Sequence, residues 1–89
     1  MANDTGEVPL GRVTHYYSHL NVGIIELTDG DLNVGDTIHI KGKHTDFKQT
    51  VDSMQIEHQN VTHADKGKTV GIAVREKVRE HDRVFKAGG

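Results

Sequence analysis

The sequence has no cysteine and no tryptophan, one proline, and only two tyrosines and two phenylalanines. Without cysteine there is no disulfide framework, thiolate nucleophile or cysteine-based zinc site, and nothing calls for an oxidising compartment; the expected location is cytoplasmic. No apolar run approaches the ~20 residues of a membrane span, and the polar stretch 1–6 lacks the apolar core of a secretion signal, so no membrane association is expected. Neither charge sign dominates. A formal charge of −2 and a pI near 6.4 argue against a surface that clings everywhere to nucleic acid, while leaving room for a local basic face. Serine is scarce as well: Ser18 and Ser53 lie outside any Gly-x-Ser-x-Gly elbow, and the acids are scattered among lysines. No catalytic residue is assigned, and the chain is not expected to be an enzyme.

What the sequence has in quantity is β-branched side chains. Ten Val, six Ile and eight Thr stand against four Leu and four Ala, and branching at Cβ suits a pleated strand better than a helix. Ten glycines punctuate the pattern. At 89 residues the chain supports one core.

Residues 11–17 alternate, with Val13, His15 and Tyr17 on one face and Arg12, Thr14 and Tyr16 on the other, which predicts a first strand. A second runs over 22–27 to the Asp29-Gly30 turn. A third places Ile38 and Ile40 together, with His39 and Lys41 toward water. Residues 47–61 give mixed signals, since Phe47, Val51 and Met54 fit helical spacing whereas Met54 and Ile56 fit a strand. A strand with a bulge near Ser53 reconciles them. Residues 64–68 form a turn, Val70, Ile72 and Val74 point inward from the next strand, and 83–86 forms the last. About six strands with no long helix predict a closed barrel, spanning 8–86 between tails over 1–7 and 87–89.

Several motifs suggest chemistry. Gly67-Lys68-Thr69 resembles the end of a phosphate-binding loop, but position 62 is Thr where that loop requires Gly, so no nucleotide is expected. The seven histidines show no convincing ligand spacing, and no metal or other cofactor is assigned. If residues 75–83 were extended, Arg75, Lys77, Arg79 and Arg83 would share one side opposite Glu76, Glu80 and Asp82. That side could track phosphates, or the alternation could simply keep a barrel soluble. Tyr16 is a candidate for base stacking. Gly88-Gly89 matches the tail of ubiquitin-like and sulfur-carrier proteins, whose fold would need a helix within 47–61.

Gly11-Arg12-Val13, the run from Leu32 through Gly35-Asp36 to Ile38, Val51 to Ile56, Ala64-Asp65-Lys66-Gly67 and Val70-Gly71-Ile72 follow one another as in the barrel domain of translation factors. Over residues 8–86 the chain resembles the second domain of the elongation factor Tu family. The resemblance implies a closed six-stranded barrel without catalysis, binding RNA, ribosomal or transfer, or a protein partner. It implies contacts near Gln55, with Glu57 and His58 beside it, although Gln55 stands where that family has Glu. The residues assigned to a partner surface are therefore Arg75, Lys77, Arg79, Arg83, Gln55, Glu57, His58 and Tyr16, on a monomer. The alternatives are a diglycine carrier and a purely structural interaction module.

Overall fold

The structure is a computed structural model that describes residues 7–87. It is all-β. Ten strands follow in order: β1 (Val8–Tyr17), β2 (Val22–Glu26), β3 (Leu32–Asn33), β4 (Thr37–Lys41), β5 (Asp46–Thr50), β6 (Met54–Ile56), β7 (Gln59–Val61), β8 (His63–Ala64), β9 (Thr69–Ala73) and β10 (Arg83–Lys86). Eight of them form one antiparallel sheet in the order β5-β4-β10-β1-β2-β9-β6-β7, and β3 pairs with β8 in a small second ladder. Among the described residues there is no helix, and hence none long and apolar enough to cross a membrane.

The closed six-stranded barrel expected from the sequence is corrected to an open, curled sheet. Its two end strands, β5 and β7, do not pair with each other. The core sits in the concavity, where Leu10, Val13, Ile25, Leu27, Leu32, Ile38, Ile40, Val51, Met54, Val70, Ile72 and Val84 are almost fully buried. Alternation along β2, β4 and β9 sends every second side chain into this core, as the pattern predicts.

Three local departures have identifiable causes. The β1–β2 register shifts between Val13 and His15, and the extra residue exchanges the faces beyond it. Tyr16 therefore packs against the core while His15 and Tyr17 are exposed, reversing the expected faces; their rings stack edge to face with centroids 4.4 Å apart. The segment 47–61 forms no single bulged strand. It breaks at 51–53, and Glu57 and His58 then turn between Ile56 and Gln59 with φ of 50° and 67°, a two-residue hairpin loop without glycine. Residues 75–82 are not extended, because Val78 plugs the core at 1 % exposure and Asp82 is buried, its Oδ2 accepting the Arg79 N–H at 2.9 Å.

Of the expected tails, 1–6 and Gly88-Gly89 lie outside the described residues. Glu7 reaches the β4 residue His39, and the Ala87 N–H donates to the Thr37 carbonyl at 2.9 Å.

Candidate functional site

The cross-strand register aligns charge in a way the linear sequence does not show. Lys41 on β4 lies opposite Arg83 on β10, and Arg83 lies opposite Arg12 on β1. Arg12 faces Glu26 on β2, and Lys41 faces Asp46 on β5. One row across five strands thus reads Asp46, Lys41, Arg83, Arg12, Glu26, with three exposed cations in succession at its centre. Like charges directly opposite one another on a sheet destabilise it. The flanking acids relieve this only in part. Glu26 pairs with the Arg12 guanidinium at 3.0 Å, while Asp46 Oδ1 engages His39 Nε2 at 2.5 Å. Arg83 forms no ion pair among the described residues.

An open cleft of about 370 Å³ adjoins this row, lined by Arg12, Arg83, Thr28, Asp29 and His81 over a floor that includes Pro9 and Phe85. Two backbone features shape it. The β1–β10 register shifts between Pro9 and Gly11, and β1 passes so close to β2 that a Cβ on Gly11 would lie 2.0 Å from the Glu26 carbonyl oxygen. His81 adopts φ of 76°, held by its N–H to the Val13 carbonyl at 2.8 Å, and the neighbouring Asp82 carbonyl accepts the Val13 N–H.

A second cluster is built on His39. Expected to face water, it is only 9 % exposed. Its Nδ1 lies 2.9 Å from Glu7 Oε2, and Nε2 meets Asp46, so both ring nitrogens face carboxylates. Hydrogen bonding to His39 holds the Glu7 and Asp46 carboxyls below their usual values, and Lys48 adds attraction to both. With both nitrogens occupied, His39 is a clasp joining residue 7 to β4 and β5.

A third grouping is one that the sequence spacing of the histidines did not show. Pairing of β3 with β8 brings Asp31 beside His63 and Asp65, with ligand atoms within 4.8 Å of one another, all exposed. His63 Nδ1 lies 2.6 Å from Asn33 Oδ1 and Nε2 lies 2.8 Å from Asp65. These atoms have the chemistry to hold a divalent cation, but exposed acids of this kind are common without one.

The residues assigned to a partner surface from sequence are dispersed over the fold. Gln55, exposed on β6, donates to Asn60 Oδ1 at 3.1 Å, and Glu57 and His58 form the hairpin turn. Arg75, Lys77 and Arg79 lie on the irregular connection before β10. The Tyr16 hydroxyl faces Asn21 Oδ1 at 3.4 Å. Of these residues, Arg83 lines the cleft. Arg12 was missed, and only the β1–β10 register identifies it as the neighbour of Arg83.

No protein-family model matches the chain. It is 45 % identical over 80 residues to an uncharacterized protease of Methanocaldococcus jannaschii, covering 89 % of this chain and 19 % of that protein. It is 36 % identical over 81 residues to a collagenase of Porphyromonas gingivalis, covering 90 % of this chain and 20 % of the collagenase. The chain thus spans about a fifth of the relatives it matches. Among solved structures, the C-terminal domain of a Geobacillus thermoleovorans protein described as a U32 peptidase superposes with a TM-score of 0.84 at 16 % identity, covering 99 % of this chain and all of that domain. That likeness gives the fold.

These relatives overturn the resemblance to translation factors, and with it the reading as a non-enzymatic RNA-binding module. Proteins matching across most of the chain bear the names of a protease and of two collagenases. Neither the diglycine carrier nor the purely structural module fits them better. The physical reason for the misreading lies in the motifs themselves. Gly35 and Gly67 take φ of 98° and 95°, so they meet turn requirements that any small curled sheet shares. Such residues report backbone geometry and carry no information about a ligand.

Proposed function

We propose that the chain serves a peptidase-related function, as an all-β unit that engages polypeptide on behalf of a peptidase of the U32 kind. The observation that carries this reading is the match along 80 of its residues, at 45 % identity, to one fifth of a protease. The matched segment is one part of that larger protease, which fits a module with one task inside it. The sheet supports the same reading, because it ends on β7 as an edge strand, and edge strands offer extended polypeptide a backbone ladder.

The test is a graft. The matched fifth of the Methanocaldococcus jannaschii protease is deleted in one variant and replaced by this chain in another, and cleavage of labelled gelatin and of short peptides is measured. The expected result is that deletion lowers turnover of the long substrate and that the graft restores it. A folded graft that performs no better than the deletion would overturn the proposal.

A further inference from the structure

In the row of Lys41, Arg83 and Arg12 the outer cations face acids across the sheet, Asp46 and Glu26, but the central Arg83 faces only cations. Three cations directly opposite one another on neighbouring strands oppose sheet formation, and the central one has no anionic partner among the described residues. An anion bound over the row would relieve this repulsion. The adjoining cleft supplies the rest of a site: the Arg12 and Arg83 side chains, the strained His81, the Thr28 hydroxyl and the Asp29 carboxylate around apolar atoms of Pro9 and Phe85. Strained backbone persists where surrounding structure holds it in place, and such positions cluster at ligand sites.

We infer that this cleft binds a carboxylate-bearing peptide, with the carboxylate on Arg83 and Arg12 and the adjacent peptide chain along the Pro9 and Phe85 floor. The inference rests on the peptidase-related reading for its choice of peptide over other anions. The planar guanidinium fork matches a carboxylate through two parallel hydrogen bonds. Arg12 is held in position by Glu26, with Nε 3.1 Å from the same carboxylate oxygen that its terminal nitrogen pairs with, so less side-chain freedom is lost on binding. Asp29 provides an acceptor for a peptide N–H, a group that a simple inorganic anion lacks. The carboxylate can come from a chain terminus or from an Asp or Glu side chain, and both present the same two oxygens.

The experiment follows amide chemical shifts of the isotope-labelled chain during titration with four peptides of one sequence. One is capped at both ends and neutral, one has a free C-terminus, one carries two internal Glu and a capped end, and the last has Gln at those positions. The expected result is that shifts map to residues 10–12, 28–29 and 81–85 with the carboxylate peptides alone, and whichever of the two binds identifies the source. Arg83→Gln should weaken that binding about ten- to a hundredfold, the range for one lost charge-assisted hydrogen-bonding partner. The variant should fold with an unchanged amide pattern elsewhere and melt no lower than the parent, since it removes repulsion. Equal affinity of Arg83→Gln, or shifts that ignore the carboxylate, would overturn the site. Binding of the neutral peptides elsewhere would overturn it while leaving the peptidase-related reading intact. If short RNA shifts these residues while the carboxylate peptides do not, the inference is likewise overturned.

Discussion

The side-chain amide of Gln49 donates to the Ala73 carbonyl at 2.8 Å, and its oxygen accepts the Arg75 N–H at 2.8 Å. Gln49 lies on β5, an end strand of the sheet, and Ala73 ends β9, which is five places away in strand order. One buried amide thus stands in for the peptide group of a missing strand, joining the two sides of the curl where no backbone ladder does.

Gln49→Ala should therefore be costly for an amide on an end strand. The residue is 4 % exposed, and its loss leaves a carbonyl and an N–H without their partner. A penalty of about 1–3 kcal/mol is expected, read from the midpoint of urea unfolding. Gln49→Glu should also destabilise, because a carboxylate cannot donate to Ala73. A stability equal to that of the parent would show that the curl closes without this bridge.

Two glycine substitutions separate contact from conformation. At Gly11 a methyl group would meet the Glu26 backbone oxygen at 2.0 Å, and a paired strand cannot yield cheaply, so Gly11→Ala should lose about 3 kcal/mol and disturb the β1–β2 amides. At Gly35 a methyl group finds open space, and only the φ of 98° opposes it, so Gly35→Ala should lose about 1 kcal/mol. A comparison of the two unfolding midpoints tests both; the order should not reverse.

Acid should loosen the His39 clasp. The Glu7 and Asp46 carboxyls titrate below their unfolded values, so the unfolded chain takes up protons first as pH falls. The stability they contribute is full above the ordinary carboxylate range near pH 4 and is lost as pH drops through their folded values. Asp36 acts in the same direction: burial works against its charged form, but the Asn33 backbone N–H and Lys86 outweigh it. Glu7→Gln with Asp46→Asn should flatten the dependence of melting temperature on pH between about 5 and 3. A parent-like slope in that double variant would assign the acid sensitivity elsewhere.

His81→Gly should trade binding for stability. Relief of the positive φ is expected to raise stability by up to about 1 kcal/mol, while the freed backbone and the missing ring weaken carboxylate binding in the cleft. A melt paired with the peptide titration checks both halves. A variant that gains stability and binds as well as the parent would remove His81 from the site.

How much of this was legible depends on the range of the signal. Ile38 with Ile40, and Val70 with Ile72 and Val74, are buried as strand alternation predicts, since period-two burial is a local property. Tyr16 and His15 exchange faces because the bulge between Val13 and His15 leaves no mark on composition. The Glu57-His58 turn escapes notice because it lacks the Asn-Gly or Asp-Gly signal of its class. His39 reads as a solvent-facing residue until Glu7, 32 positions away, closes over it.

Local signals place the chain in the all-β class, locate β1, β2, β4, β9 and β10, and turn Ile38, Ile40, Val70, Ile72 and Val74 inward, because β-branching, alternation and glycine placement act over a few residues. The burial of Val78, the curl that does not close, the Gln49 bridge and the adjacency of Lys41, Arg83 and Arg12 arise in the folded chain. Those facts depend on which strands pair and in what register. Register is set by the packing of the whole core, so residues 71 positions apart become neighbours without any local sign of it.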